Sequence, residues 1–283
     1  MRVSFTTGQA FDGLEGPPVP TELSPHNPRL EQLRELRTAR GRRAERRFAV
    51  EGPTLLEEAV RSGLTPREIY LTATVLERLD PSRYEAKGVP VFLLPERTFA
   101  RLSDVESPTG VLCVFDLPEH TVAEILARAG PVLLLAGVND PGNAGTLVRS
   151  AEAFGAAGVL FGRGGADPYG SKVVRAAMGS IFRLPVASVD PDEIVAAAAA
   201  AGRPLVAADV DGEDLRVVGM PQNAVFAIGN ERRGVRDWLP RWDRAIRIPQ
   251  HGAAESLNAA VAGSIVLYEA ARCQEACQGA EKP

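Results

Sequence analysis

The sequence predicts an α/β protein in which a small domain precedes a larger domain built on a parallel sheet. The chain has 283 residues, which is enough for two domains of ordinary size. Its 45% apolar and 24% charged residues are typical of a folded, soluble protein. Continuous apolar runs alternate with helical segments along most of the chain, and this alternation indicates strands covered by helices on both faces.

Changes in composition divide the chain into three parts. Residues 1–23 contain Gly13, Gly16 and three prolines without sustained periodicity, so they are predicted to form a flexible arm. Residues 24–118 are expected to form the small domain, and residues 119–283 the larger one. The large domain follows a predicted connecting helix.

The small domain alternates short strands and helices after an Arg-rich helical pattern. Pro53 opens one of these helices and Gly63 closes it, as is usual at helix ends. In chain order, the predicted elements occupy residues 48–52, 53–62, 68–71, 75–79, 89–94, 96–102 and 111–115.

The large domain has longer apolar runs, which predict fully buried parallel strands. The first strand, at 131–136, follows a connecting helix at 122–129. Further strands are predicted at 158–161, 205–208, 224–228 and 245–248, with helices at 144–154, 192–201 and 256–273.

The three cysteines predict neither a metal site nor a disulfide framework. Cys273 and Cys277 lie one helical turn apart, but two thiolates without a nearby histidine leave a zinc shell half filled, so no metal is predicted. With Cys113 the chain has three cysteines, an odd number, and a disulfide framework is not expected.

The N-terminus lacks a secretory signal, and no apolar stretch approaches the roughly 20 residues that span a bilayer. A cytoplasmic location is therefore expected.

Positive charge is concentrated in one segment although the formal net charge is −4. Residues 29–47 contain eight arginines against three glutamates, a net charge of +5. One interpretation is a solvated helix face with Arg–Glu pairs at helical spacing. The other is a local binding patch, because the global charge averages such patches away.

The loops after the parallel strands are the places to search for a ligand site, since ligands bind beyond the carboxyl ends of such strands. In the first loop, Asn139 is followed by Gly142 and Gly145, which permit a tight backbone before the helix, and Arg149 lies one turn farther on. Taken alone, this loop also fits an ordinary strand-to-helix turn.

Two later loops carry further polar residues. Gly229 and Glu231 directly follow a predicted strand, and the carboxylate is placed either to approach a ligand or to brace neighbouring loops. The loop beginning at Ile248 leads through Ser256 and Asn258 into a long apolar helix. As an isolated segment, it would be read as a helix start with Ser256 as the N-cap.

Taken together and in order, these loops resemble the three signature motifs of the SpoU/TrmH branch of the SPOUT methyltransferases. The match extends over residues 139–155, 172–185 and 248–262, and covers nearly all of residues 131–273. Chance matches at all three places in the right order are hard to credit.

The part before the large domain is similar to the small substrate-binding domain of many family members, which resembles ribosomal RNA-binding proteins. This similarity rests on Asn27 and Pro28 before the Arg-rich helix, on the turn at 48–52 and on residues 107–111. This similarity implies that the basic segment makes phosphate contacts that position an RNA. The residues expected to make these contacts are Arg42, Arg43, Arg46 and Arg47.

The family resemblance implies a C-terminal trefoil knot, which topology rules alone would not predict. It also implies that S-adenosylmethionine is bound in that knot by Gly229, Ile248 and Leu257, through close backbone approach and apolar walls. A homodimer is implied as well, in which one subunit supplies Arg149 to the pocket of the other.

The same resemblance assigns the catalytic residues of an RNA ribose 2′-O-methyltransferase. Arg149 matches an arginine with a proton-accepting role in the family, but a guanidinium stays protonated near neutral pH, so we interpret it as an electrostatic clamp. Asn139 is expected to orient Arg149 or the RNA, and Glu231 a neighbouring loop. Ser256 and Asn258 are expected to shape the reacting site.

Two positions lie outside the motif pattern. His251 suits a base by its pKa but does not belong to the signature. Ala259 and Ala260 stand where many relatives have valine and serine, so the role of that serine does not carry over.

Other functions are weighed against this interpretation. A nicotinamide-dependent dehydrogenase is set aside because the first strand of the large domain lacks a following Gly-x-Gly-x-x-Gly. A non-catalytic RNA-binding protein remains an alternative of another class. Among RNA substrates, ribosomal RNA is favoured over transfer RNA by analogy with the extra N-terminal domain.

Overall fold

The computed structural model of the protein describes residues 20–76, 78–230, 233–252 and 256–280. Two sheets organise this part of the chain. The predicted arm falls almost wholly outside the described residues, and only its last residues, including the short strand β1, belong to the structure.

The N-terminal sheet has the strand order β1-β4-β3-β5-β2 and mixed direction. Its elements are β1 (Thr21–Glu22), α1 (Pro28–Glu35), α2 (Ala39–Glu45), β2 (Arg47–Glu51), α3 (Pro53–Arg61), β3 (Glu68–Leu71), α4 (Ser82–Glu85), β4 (Val91–Leu93), α5 (Glu96–Leu102) and β5 (Val111–Asp116). Strand β5 pairs antiparallel with both β2 and β3, while β4 runs parallel to β3 and β1.

The second sheet has the order β11-β9-β10-β6-β7-β8, and all its strand pairs are parallel. Its elements are α6 (Val122–Ala127), β6 (Val132–Ala136), α7 (Pro141–Ala153), β7 (Gly158–Gly162), α8 (Ser171–Ala177), β8 (Val186–Val189), α9 (Pro191–Ala200), β9 (Leu205–Asp214), β10 (Val225–Gly229), β11 (Arg244–Arg247) and α10 (Ala259–Ala280). The predicted α/β fold with a parallel sheet is confirmed. Strands β6, β7 and β10 are buried almost throughout, as their continuous apolar runs predict.

Three local expectations from the sequence are corrected. The Arg-rich segment forms two helices instead of one, because the side chain of Thr38 caps α2 by accepting a hydrogen bond from the amide of Gly41 at 2.9 Å. At 75–79, the described residues contain only a 3₁₀ turn that ends at Val75. Helix α10 begins at Ala259 and not at Ser256.

Aromatic side chains of the N-terminal sheet pack against residues on either side of α8 in the large domain. Phe48 of β2 lies 4.9 Å from Tyr169 and 6.3 Å from Phe182, measured between ring centroids. Phe115 of β5 also lies 6.3 Å from Phe182. Since such rings bury large apolar areas, this cluster joins the small domain to α8 and the turn after it.

The sheet register brings the predicted site loops to one edge. Gly229, at the end of β10, pairs with Ala136, at the end of β6, and β9 lies on the other side of β10. The chain therefore leaves neighbouring parallel strands at the same edge, where the loops meet.

Candidate active site

A cavity of about 630 Å³ opens at the carboxyl edge of the second sheet. It is lined by segments from the ends of β9, β10 and β11 and from the approach to α10, among them residues 208–211, 228–230, 246–248 and 256–257. Apolar side chains and backbone form much of the wall, and carboxylate and guanidinium groups lie around it. A cleft of this size and character suits a small organic ligand.

The three residues expected to bind a cofactor all line this cavity. Gly229 ends β10, Ile248 follows β11, and Leu257 precedes α10. A Cβ atom at Gly229 would overlap the backbone of Gly234, where the loop folds back to form a bridge with Asn230. Glycine is therefore required here by close approach of two backbone segments.

Asn258 connects two of the loops. Its Oδ1 accepts hydrogen bonds from the amides of Ala260 at 2.9 Å and Val261 at 3.2 Å, so it is the N-cap of α10. Its Nδ2 donates to Oδ1 of Asn143 in the first turn of α7 at 3.0 Å. The cap role considered for Ser256 thus belongs to Asn258, while Ser256 lines the cavity.

The first loop lies apart from the cavity. Asp140 caps α7 by accepting a hydrogen bond from the amide of Asn143 at 2.7 Å, and Pro141 starts the helix. Asn139 and Arg149 are exposed and neither lines the cavity. One chain therefore brings together the expected cofactor residues, but not these two expected catalytic residues.

Glu231 and His251 are the two other polar residues that the sequence placed near the site. Glu231 lies outside the described residues. His251 is exposed and does not line the cavity, although Gln250 and Gly252 on either side of it do.

Sequence reasoning missed an acidic and basic cluster on the cavity wall. Between Ala207 and Glu213, β9 leaves its ladder with β11, so the register shifts and residues 208–212 bulge out. Asp209 in this bulge accepts two hydrogen bonds from Arg236, at 2.9 and 3.1 Å. Arg236 also donates to Asp211 at 2.9 Å.

The charge pair has a clear electrostatic effect. The hydrogen bonds that Arg236 donates to Asp209 lower the pKa of this carboxyl group and raise the pKa of Arg236. The pair thereby joins the β9 bulge to the loop after β10, two walls of the cavity. The sequence signal was available, because these acids follow a predicted strand at the carboxyl edge.

The basic segment is largely neutralised by acids from elsewhere in the fold. Of its eight arginines, five form ion pairs, and four of these pairs use carboxylates outside the segment. The pairs are Arg29–Glu68, Arg34–Glu31, Arg37–Asp104, Arg42–Asp167 and Arg46–Glu119. Among the described residues, no carboxylate pairs with Arg40, Arg43 or Arg47.

Arg42 has a structural position and is not part of an exposed basic surface. Its side chain is buried, donates to the carbonyl of Leu36 at 2.8 Å and lies 3.2 Å from Asp167 in the second domain. A guanidinium held in this way connects α2 to the larger domain. The expectation that Arg42 contacts RNA is therefore withdrawn, because its charge faces the interior.

Other ligand classes find little support in the described part of the chain. There, no three His, Cys, Asp or Glu side chains are grouped as metal ligands. Cys113 is buried, and burial raises the pKa of its thiol. No described helix is both long and apolar enough to cross a membrane.

Two family models match the chain, in agreement with its two sheets. The SpoU rRNA Methylase family matches residues 130–268, and the MRM3-like substrate binding domain matches residues 27–113. The cavity lies within the first match, and the Arg-rich helices lie within the second.

Similar proteins cover almost the whole chain. The 23S rRNA (guanosine(2553)-2′-O)-methyltransferase RlmP of Bacillus subtilis is 33% identical, over 87% of this chain and 96% of the relative. The 23S rRNA (uridine(2479)-2′-O)-methyltransferase of Streptomyces viridochromogenes is 32% identical, over 91% and 94%.

Solved structures share the fold. The AdoMet-bound rRNA methyltransferase from Sinorhizobium meliloti superposes with a TM-score of 0.78 at 30% identity, covering 89% of this chain and 97% of that one. The SpoU methyltransferase AviRb from Streptomyces viridochromogenes, in complex with AdoMet, gives 0.77 at 31% identity, covering 88% and 99%. The resemblance inferred from the motif loops is thus confirmed, and the chain belongs to the SpoU rRNA methylase family, with an MRM3-like substrate-binding domain.

Proposed function

We propose that this protein transfers a methyl group from S-adenosylmethionine to a ribose 2′-hydroxyl of ribosomal RNA. The observation that carries the proposal is the cavity in which Gly229, Ile248 and Leu257 meet. It lies in a fold shared with AdoMet-bound methyltransferases that cover nearly the whole chain.

The cavity fits the cofactor in size and chemistry. Its volume of about 630 Å³ lies in the usual range for small-ligand sites. Ile228, Ile248 and Leu257 offer apolar walls for an adenine, and the exposed backbone at Gly229 allows close approach. When bound, the cofactor supplies a methyl group activated by its sulfonium.

The residues of this chain would act mainly by positioning and by electrostatics. A guanidinium offers hydrogen-bond donors and no acceptor, so Arg149 would clamp the ribose oxygen or an adjacent phosphate. Ser256 shapes the cavity mouth, while Asn258 holds the motif loop against α7. Asn139 and Glu231 keep the orienting roles expected from the sequence.

We infer that a homodimer completes the site. Arg149 is exposed on α7 and outside the cavity of its own chain. Beside it, Val261 and Tyr268 of α10 are 48% and 55% exposed and border a shallow depression between α7 and α10. Apolar groups left open to this extent favour burial against a second copy, which would carry Arg149 to the partner's cavity.

A trefoil knot is proposed for the C-terminal part of the large domain. Strand β10 is central in the sheet and β11 is at its edge, yet α10 returns to α7, where Ser264 and Ser150 share a hydrogen bond of 2.7 Å. Residues 248, 250 and 252, and residues 256 and 257 before α10, line the cavity together with the loop after β10. Such neighbouring loops are what a knotted family member requires.

Ribosomal RNA is favoured over transfer RNA because two relatives that match 87% and 91% of this chain carry 23S rRNA names. A cytoplasmic location accords with such a substrate. A non-catalytic RNA-binding protein is disfavoured because the cavity is open and lined by the motif residues.

The test is methyl transfer from labelled S-adenosylmethionine to separated ribosomal and transfer RNA, followed by digestion and mapping of the product. We expect the label on one ribose 2′-oxygen of ribosomal RNA. Label on a base would overturn the reaction, and label only on transfer RNA would overturn the substrate. Binding of RNA without transfer would favour the non-catalytic alternative.

A further inference from the structure

The turn between α8 and β8 belongs to the matching stretch 172–185, yet it does not line the cavity. Met178 and Gly179 adopt consecutive left-handed conformations, with φ values of 48° and 93°. A left-handed methionine costs about 1 kcal/mol or more, so its surroundings must hold it there. This turn reverses the chain and sends the next residues towards the small domain.

Arg183, at the end of this turn, makes contacts in two directions. Its Nη2 atom donates to Oε2 of Glu152 at 3.0 Å, and its Nε atom donates to the other carboxylate oxygen, so the pair is bidentate. Its Nη1 atom donates to Oε2 of Glu58 at 2.9 Å and to Oγ of Ser62 at 3.3 Å. One planar guanidinium therefore holds three partners.

These partners belong to different functional parts. Glu152 lies on α7, one helical turn after Arg149. Glu58 lies on α3 of the substrate-binding domain, and Ser62 is the C-cap of that helix. The neighbouring Phe182 packs against Phe48 and Phe115 of the same domain.

The fit around Glu58 is close. A Cβ atom built at Gly179 would lie 3.0 Å from Cβ of Glu58, so the turn is seated directly against that side chain. The bonds from Arg183 also lower the pKa of Glu152, as expected for a carboxylate that stays charged in this pair. Close packing at Gly179 and charged hydrogen bonds of Arg183 thus both hold this turn against the small domain.

We infer that Arg183 is a positioning residue for methyl transfer, holding the helix that carries Arg149 at a set orientation to the RNA bound by the substrate-binding domain. This inference rests on the proposed function. It applies whichever protomer's cavity Arg149 completes, because α7 and α3 belong to one chain. A displacement of about 1 Å in a reacting group can cost up to about 100-fold in rate, so an inter-domain connection of this kind affects chemistry.

The sharpest test is Glu58→Met, which keeps an apolar stem against Gly179 but removes the acceptor. Glu57→Met is the matched control, because Glu57 is on the same helix and its ion-pair partners, Arg61 and Arg83, are in its own domain. With saturating RNA and S-adenosylmethionine, we expect a single-turnover rate about tenfold lower for Glu58→Met. Cofactor affinity should stay within about twofold, and Glu57→Met should match the wild type.

A second variant and a second readout keep the inference testable. Arg183→Gln should lower the rate at least as much as Glu58→Met, and if it fails to fold, Glu58→Met still decides. Hydrogen exchange of residues 144–153 should slow when RNA binds the wild type, but much less in Glu58→Met. This readout does not need turnover.

The outcomes separate the two proposals. Wild-type rates in Glu58→Met, or a loss of cofactor affinity equal to the loss of rate, would overturn the role of Arg183. Equal protection of residues 144–153 by RNA in the wild type and in Glu58→Met would also overturn it. Absence of 2′-O transfer by the wild-type protein would instead contradict the proposed function.

Discussion

The side-chain amide of Asn258 donates to Oδ1 of Asn143 across 3.0 Å, joining the N-cap of α10 to the first turn of α7. Asn258→Ala removes this bond and the cap. We expect a loss of about 1–2 kcal/mol in the free energy of unfolding, the usual cost of losing a cap, measured by urea titration. Ser256→Ala is the control, because Ser256 lines the cavity without capping a helix, and it should change stability by less than about 0.5 kcal/mol. Equal effects of the two variants would contradict the assignment of the cap.

Gly229→Ala tests the close approach in the cavity wall. The new methyl group would overlap the backbone of Gly234, so the loop must move and cofactor affinity should fall by about tenfold or more. Calorimetry with S-adenosylmethionine measures the change. Gly252→Ala is a matched control, since Gly252 also lines the cavity but has no atom within 4 Å of the added carbon. Unaltered binding by Gly229→Ala would remove this loop from the cofactor site.

The basic segment separates into paired and unpaired arginines, which predicts different salt responses. Replacing Arg40, Arg43 and Arg47 by Gln should reduce the slope of log affinity against log salt by about two for single-stranded RNA, because each phosphate contact contributes about 0.7. Filter binding at several salt concentrations measures this slope. The control replaces Arg29, Arg34 and Arg37, whose charges are already paired. An unaltered slope after replacement of Arg40, Arg43 and Arg47 would favour the solvated-face interpretation.

The proposed dimer predicts complementation between two impaired variants, measured at a cofactor concentration too low for Gly229→Ala to bind it. Arg149→Ala lacks the clamp and Gly229→Ala has a weakened cofactor site, but a mixed dimer contains one cavity with both groups intact. After subunit exchange of an equal mixture, activity should return to about a quarter of the wild-type value, since half of the dimers are mixed and each has one complete site. Activity no higher than that of the separate variants would indicate that each chain uses its own Arg149.

The Asp209–Arg236 pair predicts a stability difference that depends on pH. The hydrogen bond from Arg236 lowers the pKa of Asp209 in the folded state, so the pair stabilises the protein above the unfolded pKa of about 3.9. This contribution disappears as the pH falls through the lower folded value. Asp209→Asn should therefore cost about 1 kcal/mol at pH 7, discounted for the half-exposed Arg236, and much less once the pH lies below the folded-state pKa of Asp209. Urea titration at both pH values measures it, and a cost that does not change with pH would exclude the charge pair as the cause.

The family resemblance of the motif loops led to the expectation that Gly229, Ile248 and Leu257 lie together. They do line one cavity, and the physical reason is that parallel strands bring their carboxyl ends to one edge of the sheet. Helix ends were less certain, because Ser256 and Asn258 both have the chemistry of a cap, and only the backbone path selects between them.

Ion pairs between residues far apart in the sequence determined which arginines of the basic segment stay unpaired. The count of eight arginines against three glutamates did not reveal that Glu68, Asp104, Asp167 and Glu119 would neutralise half of these arginines, because ion pairs between distant residues depend on the tertiary fold. The burial of Arg42 and the three contacts of Arg183 have the same origin. Residue type and spacing thus determined the fold class and the family. The tertiary fold determined which charges stay unpaired and which hold the protein together, because attraction between charges acts through space and not along the chain.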